Sequence, residues 1–190
     1  MDSSHVFARN ERINHRNWYK MNKSMKMCML AAAHYDSPLG GMTMASDGTA
    51  LTALWFDGTR REPRFTDGTS TTKKLSIFDE ACHWLDLYFA GKNPDFTPQL
   101  SPQGTPFQQQ VWEILLTIPY GKTISYGDVA RRISPTMSAQ AVGGAVGRNP
   151  IGIIIPCHRV IGADGSLTGY GGGLDRKRRL LELEMKGLFP

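Results

Sequence analysis

Residues 138–160 read Ser-Ala-Gln-Ala-Val-Gly-Gly-Ala-Val-Gly-Arg-Asn-Pro-Ile-Gly-Ile-Ile-Ile-Pro-Cys-His-Arg-Val. Three textures meet in this stretch. Ser138 to Val146 has the spacing of a short helix, yet it is made of small residues and carries Gly143-Gly144. A glycine inside a helix costs about 1 kcal/mol relative to alanine. The pair therefore implies close backbone approach, either to another helix or to something outside the protein. Ile151 to Ile155 is an apolar run of strand length, which predicts a buried strand. It leads directly into Pro156-Cys157-His158-Arg159, where four chemically distinct side chains follow one another. Just upstream, Ser125 is a candidate N-cap for a helix ending near Ile133. Two short helices joined by a tight turn, the second rich in small residues, resemble a helix-turn-helix unit.

Working outward, Thr105 to Ile118 spaces Phe107, Val111, Trp112, Leu115 and Ile118 for burial on one helical face. Pro106 stands at a favourable first-turn position, and Pro119-Tyr120-Gly121 ends the helix. Downstream, a glycine-rich loop from Gly162 to Gly173 precedes an amphipathic helix from Leu174 to about Lys186. Upstream, Asn93 to Pro106 holds four prolines and reads as an extended linker at a domain boundary. Before it, Ile77 to Ala90 has helical spacing, with Gly91 placed as a C-cap. Residues 28–58 alternate short apolar runs (Met29–Tyr35, Met42–Ala45, Ala50–Phe56) with Ser37-Pro-Leu-Gly-Gly, Asp47-Gly and Asp57-Gly turns. That pattern predicts an antiparallel meander. The expected organisation is a disordered leader over 1–27, an α/β domain over 28–92, a linker over 93–104 and a second, mainly helical domain over 105–190. The fold class is α+β.

The 190-residue chain is 41% hydrophobic and 21% charged, ordinary for a soluble globular protein. No run approaches the roughly 18 apolar residues of a membrane span. The N-terminus lacks the apolar segment of a signal peptide, so a cytoplasmic location without membrane partners is expected. Cys28, Cys82 and Cys157 cannot all pair and match no zinc spacing, which favours reduced thiols. Charge is uneven. Residues 28–100 carry six Lys/Arg against nine acids, whereas residues 101–190 carry ten against six. A basic second half suits a polyanionic partner.

A thiol is a weak nucleophile until it is ionised. His158 beside Cys157 offers an acceptor for its proton, Arg159 and nearby helix termini add positive potential, and Pro156 fixes the backbone. A histidine in this role needs an orienting acceptor, and Glu182 and Glu184 on the last helix are candidates. On these residues alone, a buried and inert cysteine is the more ordinary reading.

The surrounding motifs carry more. Ile155-Pro-Cys-His-Arg-Val160 resembles the active-site signature of the O6-alkylguanine–DNA alkyltransferases. The resemblance spans residues 105–186 through Thr105-Pro-Phe-Gln-Gln-Gln-Val-Trp, Ile118-Pro-Tyr-Gly, Ile124-Ser-Tyr-Gly, Ala141-Val-Gly-Gly-Ala, Arg148-Asn-Pro and Leu167-Thr-Gly-Tyr-Gly-Gly-Gly-Leu. Asp36-Ser-Pro-Leu-Gly resembles the family's N-terminal domain. The resemblance implies a ribonuclease-H-like N-terminal domain and a winged helix-turn-helix-like C-terminal one. It implies single-use, irreversible transfer of an alkyl group from O6 of guanine to Cys157, with His158 as a water-mediated base held by Glu184. Tyr126 would crowd the DNA backbone and protonate guanine N3, and Asn149 would brace the active-site turn. Pro156, Val160, Tyr170, Gly171 and Gly172 would line the guanine pocket. The third helix would enter the minor groove through Gln140, Ala141, Gly143 and Gly144, with Arg148 beside them. The implied partner is double-stranded DNA containing alkylated guanine, bound by a monomer able to cluster along it, without a cofactor.

Two departures are visible. The family often has arginine where this chain has Gln140, which can fill the space of an extruded base but adds no charge. Some relatives bind zinc through N-terminal Cys and His. Cys28 fits one such position and the others are neither, so no metal is expected. Three other readings remain to be separated. A non-catalytic alkylated-DNA binder lacks the cysteine that is present here. A regulator would display more base-reading side chains than Gln140. A Cys–His hydrolase would need an oxyanion hole.

Overall fold

The structure, a computed structural model, describes residues 31–60 and 74–186. The proposed leader and Cys28 lie outside these residues. Strands β1 (Ala31–Ser37), β2 (Gly40–Ser46) and β3 (Leu51–Phe56) form an antiparallel sheet in the order β1-β2-β3. Tyr35 pairs with Met42 and Met44 with Leu54. The Asp47 carboxylate accepts from the amides of Thr49 and Ala50 at 3.0 and 2.9 Å, closing the second turn as an Asx turn. Helix α1 (Ser76–Phe89) buries Ile77, Phe78, Ala81, Trp84, Leu85, Tyr88 and Phe89 on one face. It ends in a Schellman motif: Gly91 N donates to Tyr88 O at 2.9 Å and Lys92 N to Leu87 O at 3.1 Å, with Gly91 at φ +75°.

The proline-rich stretch is pinned rather than loose. Leu100 bridges Leu51, with Leu51 N donating to Gln99 O at 2.8 Å. Beyond it, α2 (Pro106–Leu116) starts at a capping box formed by Thr105 and Gln108. A two-residue strand, β4 (Ile124–Ser125), precedes α3 (Tyr126–Ile133) and α4 (Ala139–Val146). Ser125 and Ser138 each accept the amide three residues on, as N-caps do. Trp112 of α2 donates its indole N–H to Ala145 O of α4 at 3.0 Å, fixing α4 from behind. A 3-10 turn (Cys157–Arg159), β5 (Val160–Ile161) and α5 (Leu174–Lys186) complete the chain described. β4 and β5 pair in parallel, an association too short for period-2 patterning to register.

One expected element is different. Ile151–Ile155 is buried but is not a strand. Ile151 makes a single bridge to Leu54 of β3, after which the chain turns: Ile154 N donates to Gly152 O and Ile155 N to Ile151 O. The apolar run reported burial correctly, and its period was never distinctive. Gly152 permits the turn because a Cβ there would meet Leu54 O and the Trp55 ring at 3.2 Å. Ile153 is held at φ +67°, a conformation costing a β-branched residue about 1–3 kcal/mol.

Candidate active site and nucleic-acid interface

Cys157 opens the 3-10 turn at 3% exposure, its amide donating to Ile155 O at 2.8 Å. The coil in front of it is held by Asn149, which is fully buried. The Asn149 amide donates to Ile155 O and accepts from Ile151 N, both at 2.9 Å, so one side chain ties the two ends of the turn. Trp55 of β3 donates to the Asn149 carbonyl at 2.9 Å. The N-terminal sheet is thereby part of the mount for the thiol.

Behind Cys157 lies a buried polar cluster centred on Glu184. Its Oε1 accepts from His158 Nε2 at 2.6 Å and from the Tyr88 hydroxyl at 2.8 Å. Its Oε2 accepts from Arg159 Nε at 2.9 Å and Gly121 N at 3.0 Å. Arg159 also reaches Oε1 with Nη2 at 3.0 Å and donates Nη1 to Ile118 O at 2.6 Å. Arg159 was expected to lend positive potential to the thiol. It is instead committed to Glu184, because a buried guanidinium requires a carboxylate close by.

Burial alone would raise the Glu184 carboxyl, but the His158 and Arg159 contacts outweigh it and bring the group down to about 2. Burial pushes His158 below its ordinary value, against the pull of Glu184. These two tendencies conflict, since a charged His158 is part of what lowers Glu184. A fully buried imidazole next to both Arg159 and Lys177 favours the neutral ring, and Arg159 suffices to keep Glu184 ionised. An ionised carboxylate only accepts, so Nε2 carries the His158 hydrogen and Nδ1 is left with a lone pair. Nδ1 has no hydrogen-bond partner among the described residues.

Tyr126 opens α3 with its hydroxyl donating to Thr168 O at 3.0 Å, and burial raises the phenol above its usual value. A cavity of about 320 Å³ near it is lined by Gly143, Gly147, Gly169, Tyr170, Gly171 and Arg60. Pro156, Val160 and Gly172 are buried and do not border this cavity. Gln140 and Ala141 are exposed on α4, as is Arg148 just beyond its end, and Gly143 and Gly144 are partly exposed. A Cβ on Gly143 would meet the Tyr126 ring at an ordinary 3.8 Å, and one on Gly144 only the flexible end of Arg148 at 3.2 Å. Packing against another helix is therefore not what requires these glycines.

Sequence reasoning missed Lys177, Tyr88 and Arg60. Lys177 Nζ is buried and donates to Val160 O and Thr168 O, both at 2.6 Å, tying α5 to the loop beyond the thiol. Burial draws its ammonium down to about 8. The signal was present: Lys177 and Glu184 stand seven residues apart, on the apolar stripe of α5. Glu182, the other candidate acid, is only partly buried. Cys82 and Cys157 both carry thiols rather than a disulfide. Among the described residues no group of His, Cys, Asp and Glu is arranged to hold a metal ion. No helix among them is long and apolar enough to cross a membrane.

Residues 106–186 match the family model described as the 6-O-methylguanine DNA methyltransferase DNA binding domain. Residues 30–102 match that of the ribonuclease-like domain of the same methyltransferases. Fold and site together thus define a cysteine alkyl acceptor mounted on a DNA-binding domain. The methylated-DNA–protein-cysteine methyltransferase of Mycobacterium tuberculosis strain H37Rv is 52% identical over 154 residues, 80% of this chain and 92% of that protein. The protein of the same name from Methanosarcina acetivorans is 45% identical over 152 residues, 80% of this chain and 96% of that protein. The crystal structure of Mycobacterium tuberculosis OGT in complex with DNA superposes with a TM-score of 0.75 at 47% identity, covering 83% of this chain and 94% of that one. The chain belongs to the methylated-DNA–protein-cysteine methyltransferase family.

Proposed function

We propose that the protein repairs double-stranded DNA by taking the alkyl group from O6-alkylguanine, and from O4-alkylthymine where the cavity admits it, onto Cys157. The observation that carries this reading is the buried thiol beside a fully buried His158 whose Nε2 is engaged by Glu184, leaving Nδ1 without a partner among the described residues and able to accept a proton. In the proposed step the thiol proton passes to Nδ1, directly or through one water. The thiolate attacks the alkyl carbon, the C–O6 bond breaks, and its electron pair moves into the purine. Tyr126 gives N3 the hydrogen it otherwise donates to Thr168 O, which neutralises the developing anion. The product thioether does not revert, so each molecule acts once.

O6 is paired within the duplex, so the base must leave the stack. The small, partly exposed residues of α4 support entry into the minor groove, with Gln140 filling the vacated place and Arg148 near the phosphates. Tyr170 and Gly171 face the guanine in this scheme. Asn149, Pro156, Val160 and Gly172 hold the wall behind it. We further infer that the 93–104 stretch divides two domains and that a monomer acts, with clustering along DNA. The reading has it work in the cytoplasm, where its bacterial and archaeal relatives keep their DNA.

The test is intact-mass analysis after incubation with duplex O6-methylguanine DNA. The expected result is one methyl in place of one hydrogen, on the peptide bearing Cys157, with repaired DNA never exceeding protein. Cys157→Ser should abolish transfer and leave DNA affinity within about twofold, because affinity comes chiefly from phosphate contacts. Repeated turnover with unmodified Cys157 would overturn the reading in favour of a hydrolase.

A further inference from the structure

Glu184 has four kinds of donor, and one of them comes from the other half of the molecule. Tyr88 belongs to α1, ninety-six residues away in sequence, yet its hydroxyl is 2.8 Å from Glu184 Oε1 and 3.3 Å from His158 Nε2. The side chain is fully buried. Its ring stacks on Trp84 at 5.3 Å and meets Tyr120 edge-on at 6.0 Å, so the hydroxyl has little freedom to turn elsewhere. We propose that Tyr88 is a positioning residue of the alkyl-transfer site, holding the Glu184–His158 pair so that His158 stays neutral and its Nδ1 stays available. This rests on the reading above.

The physical case is a competition for one oxygen. Oε1 is shared between the Tyr88 hydroxyl and the His158 N–H. A carboxylate that accepts a second hydrogen bond is a weaker acceptor for the first, and attracts a proton onto the imidazole less strongly. Tyr88 also offers its own oxygen to the His158 N–H, which fixes the ring plane. The charged and titratable groups around His158 are Glu184 and Lys177 from α5, Arg159 and Cys157 from its own turn, Tyr88 from α1 and Tyr170 from the loop, whose ring lies 6.5 Å away. Of these, Tyr88 alone comes from the N-terminal half. Its hydroxyl can be deleted without changing a formal charge.

The experiment compares the full chain with Tyr88→Phe, which keeps the ring and its stacking. Two quantities are read: the protonated fraction of His158 from its ring nitrogen shifts, and the pH profile of single-turnover transfer. The expected result is that both move together to higher pH by about half to one unit, a three- to tenfold rise in the ratio of protonated to neutral ring at a given pH. Transfer should slow by a similar factor on the acid limb, with DNA affinity unchanged. Trp84→Phe loosens the same packing but keeps the hydroxyl, and should lower Tm without moving the limb. An unmoved limb in Tyr88→Phe, or an equal shift in Trp84→Phe, overturns the proposal. If the wild-type chain transfers no alkyl group, the functional reading falls, while the nitrogen shifts still decide the role of Tyr88.

Discussion

Helices α4 and α5 distribute polarity in opposite ways. α4 is uncharged, and it turns Gln140, Ala141, Gly143 and Gly144 partly or fully toward solvent. α5 buries a lysine and a glutamate, Lys177 and Glu184, among its leucines. Proteins ordinarily expose charge and bury small apolar residues. Each helix departs from that rule on the side facing the work we propose for it. A bare outer face lets a large ligand approach the backbone closely. An inner face with ions can set the protonation of a neighbouring group because low polarity magnifies each contact. On the proposed reading, the difference separates recognition, which depends on what has been left out of α4, from chemistry, which depends on what has been forced into α5.

The largest expected effect tests the inner face. Glu184→Ala leaves Arg159 buried and unpaired, so it should cost about 3–5 kcal/mol in denaturant unfolding and remove most transfer activity. A loss below about 1 kcal/mol would mean that the cluster is not held by its ion pair, and the contrast with α4 would lose its basis.

A smaller effect follows from acidity. Both His158 and Glu184 are held below their unfolded values, so each stabilises the fold above its unfolded pKa and loses that contribution as pH falls. Tm should therefore begin to decline below about pH 6.5 as His158 is drawn toward protonation on unfolding. A steeper fall is expected between about pH 4.3 and 2, on the order of 3 kcal/mol, as Glu184 titrates. Glu184→Gln should lack the steeper part. Flat stability from pH 7 to 3 in the wild type would contradict the buried, ionised pair.

The smallest effect tests the outer face. Gly143→Ala adds a methyl into ordinary contact and removes a helix-interior glycine, so stability should rise by about 0.5–1 kcal/mol. Duplex affinity should fall meanwhile, and by more than the reaction with free O6-benzylguanine, which the added methyl meets only at the cavity wall. If stability and duplex affinity both improve, the glycines serve neither the interior nor the DNA.

Most of the frame was legible in the sequence, because punctuation is local chemistry. Thr105, Ser125 and Ser138 cap helices that begin one residue later, and Gly91 ends α1 as its lack of a Cβ allows. The run Ile151–Ile155 was misread because apolarity alone reports burial and not geometry. Asn149 and Gly152 impose the turn together with the β3 edge, which reaches it from Trp55, ninety-four residues from Asn149. The site divides likewise. Cys157, His158, Tyr126 and Glu184 were legible through motifs, whereas Tyr88 was legible only as a core aromatic at helical spacing. Its hydroxyl acquires meaning from Glu184, which no spacing rule connects to it. Arg159 was read as a neighbour of the thiol because it follows closely in sequence, but the 3-10 turn aims it at α5.

The clamp at Asn149 bears on how the protein ages. Asparagine side chains spontaneously convert to aspartate when the following backbone nitrogen attacks the amide carbon. The next residue is Pro150, which has no backbone N–H, so that cyclisation is closed. Conversion would be costly at this position, because an aspartate would face its oxygen to Ile155 O where the amide now donates. On the proposed reading a molecule acts once, after an unpredictable wait for damage. The Asn-Pro pair gives its most exacting joint a long chemical shelf life.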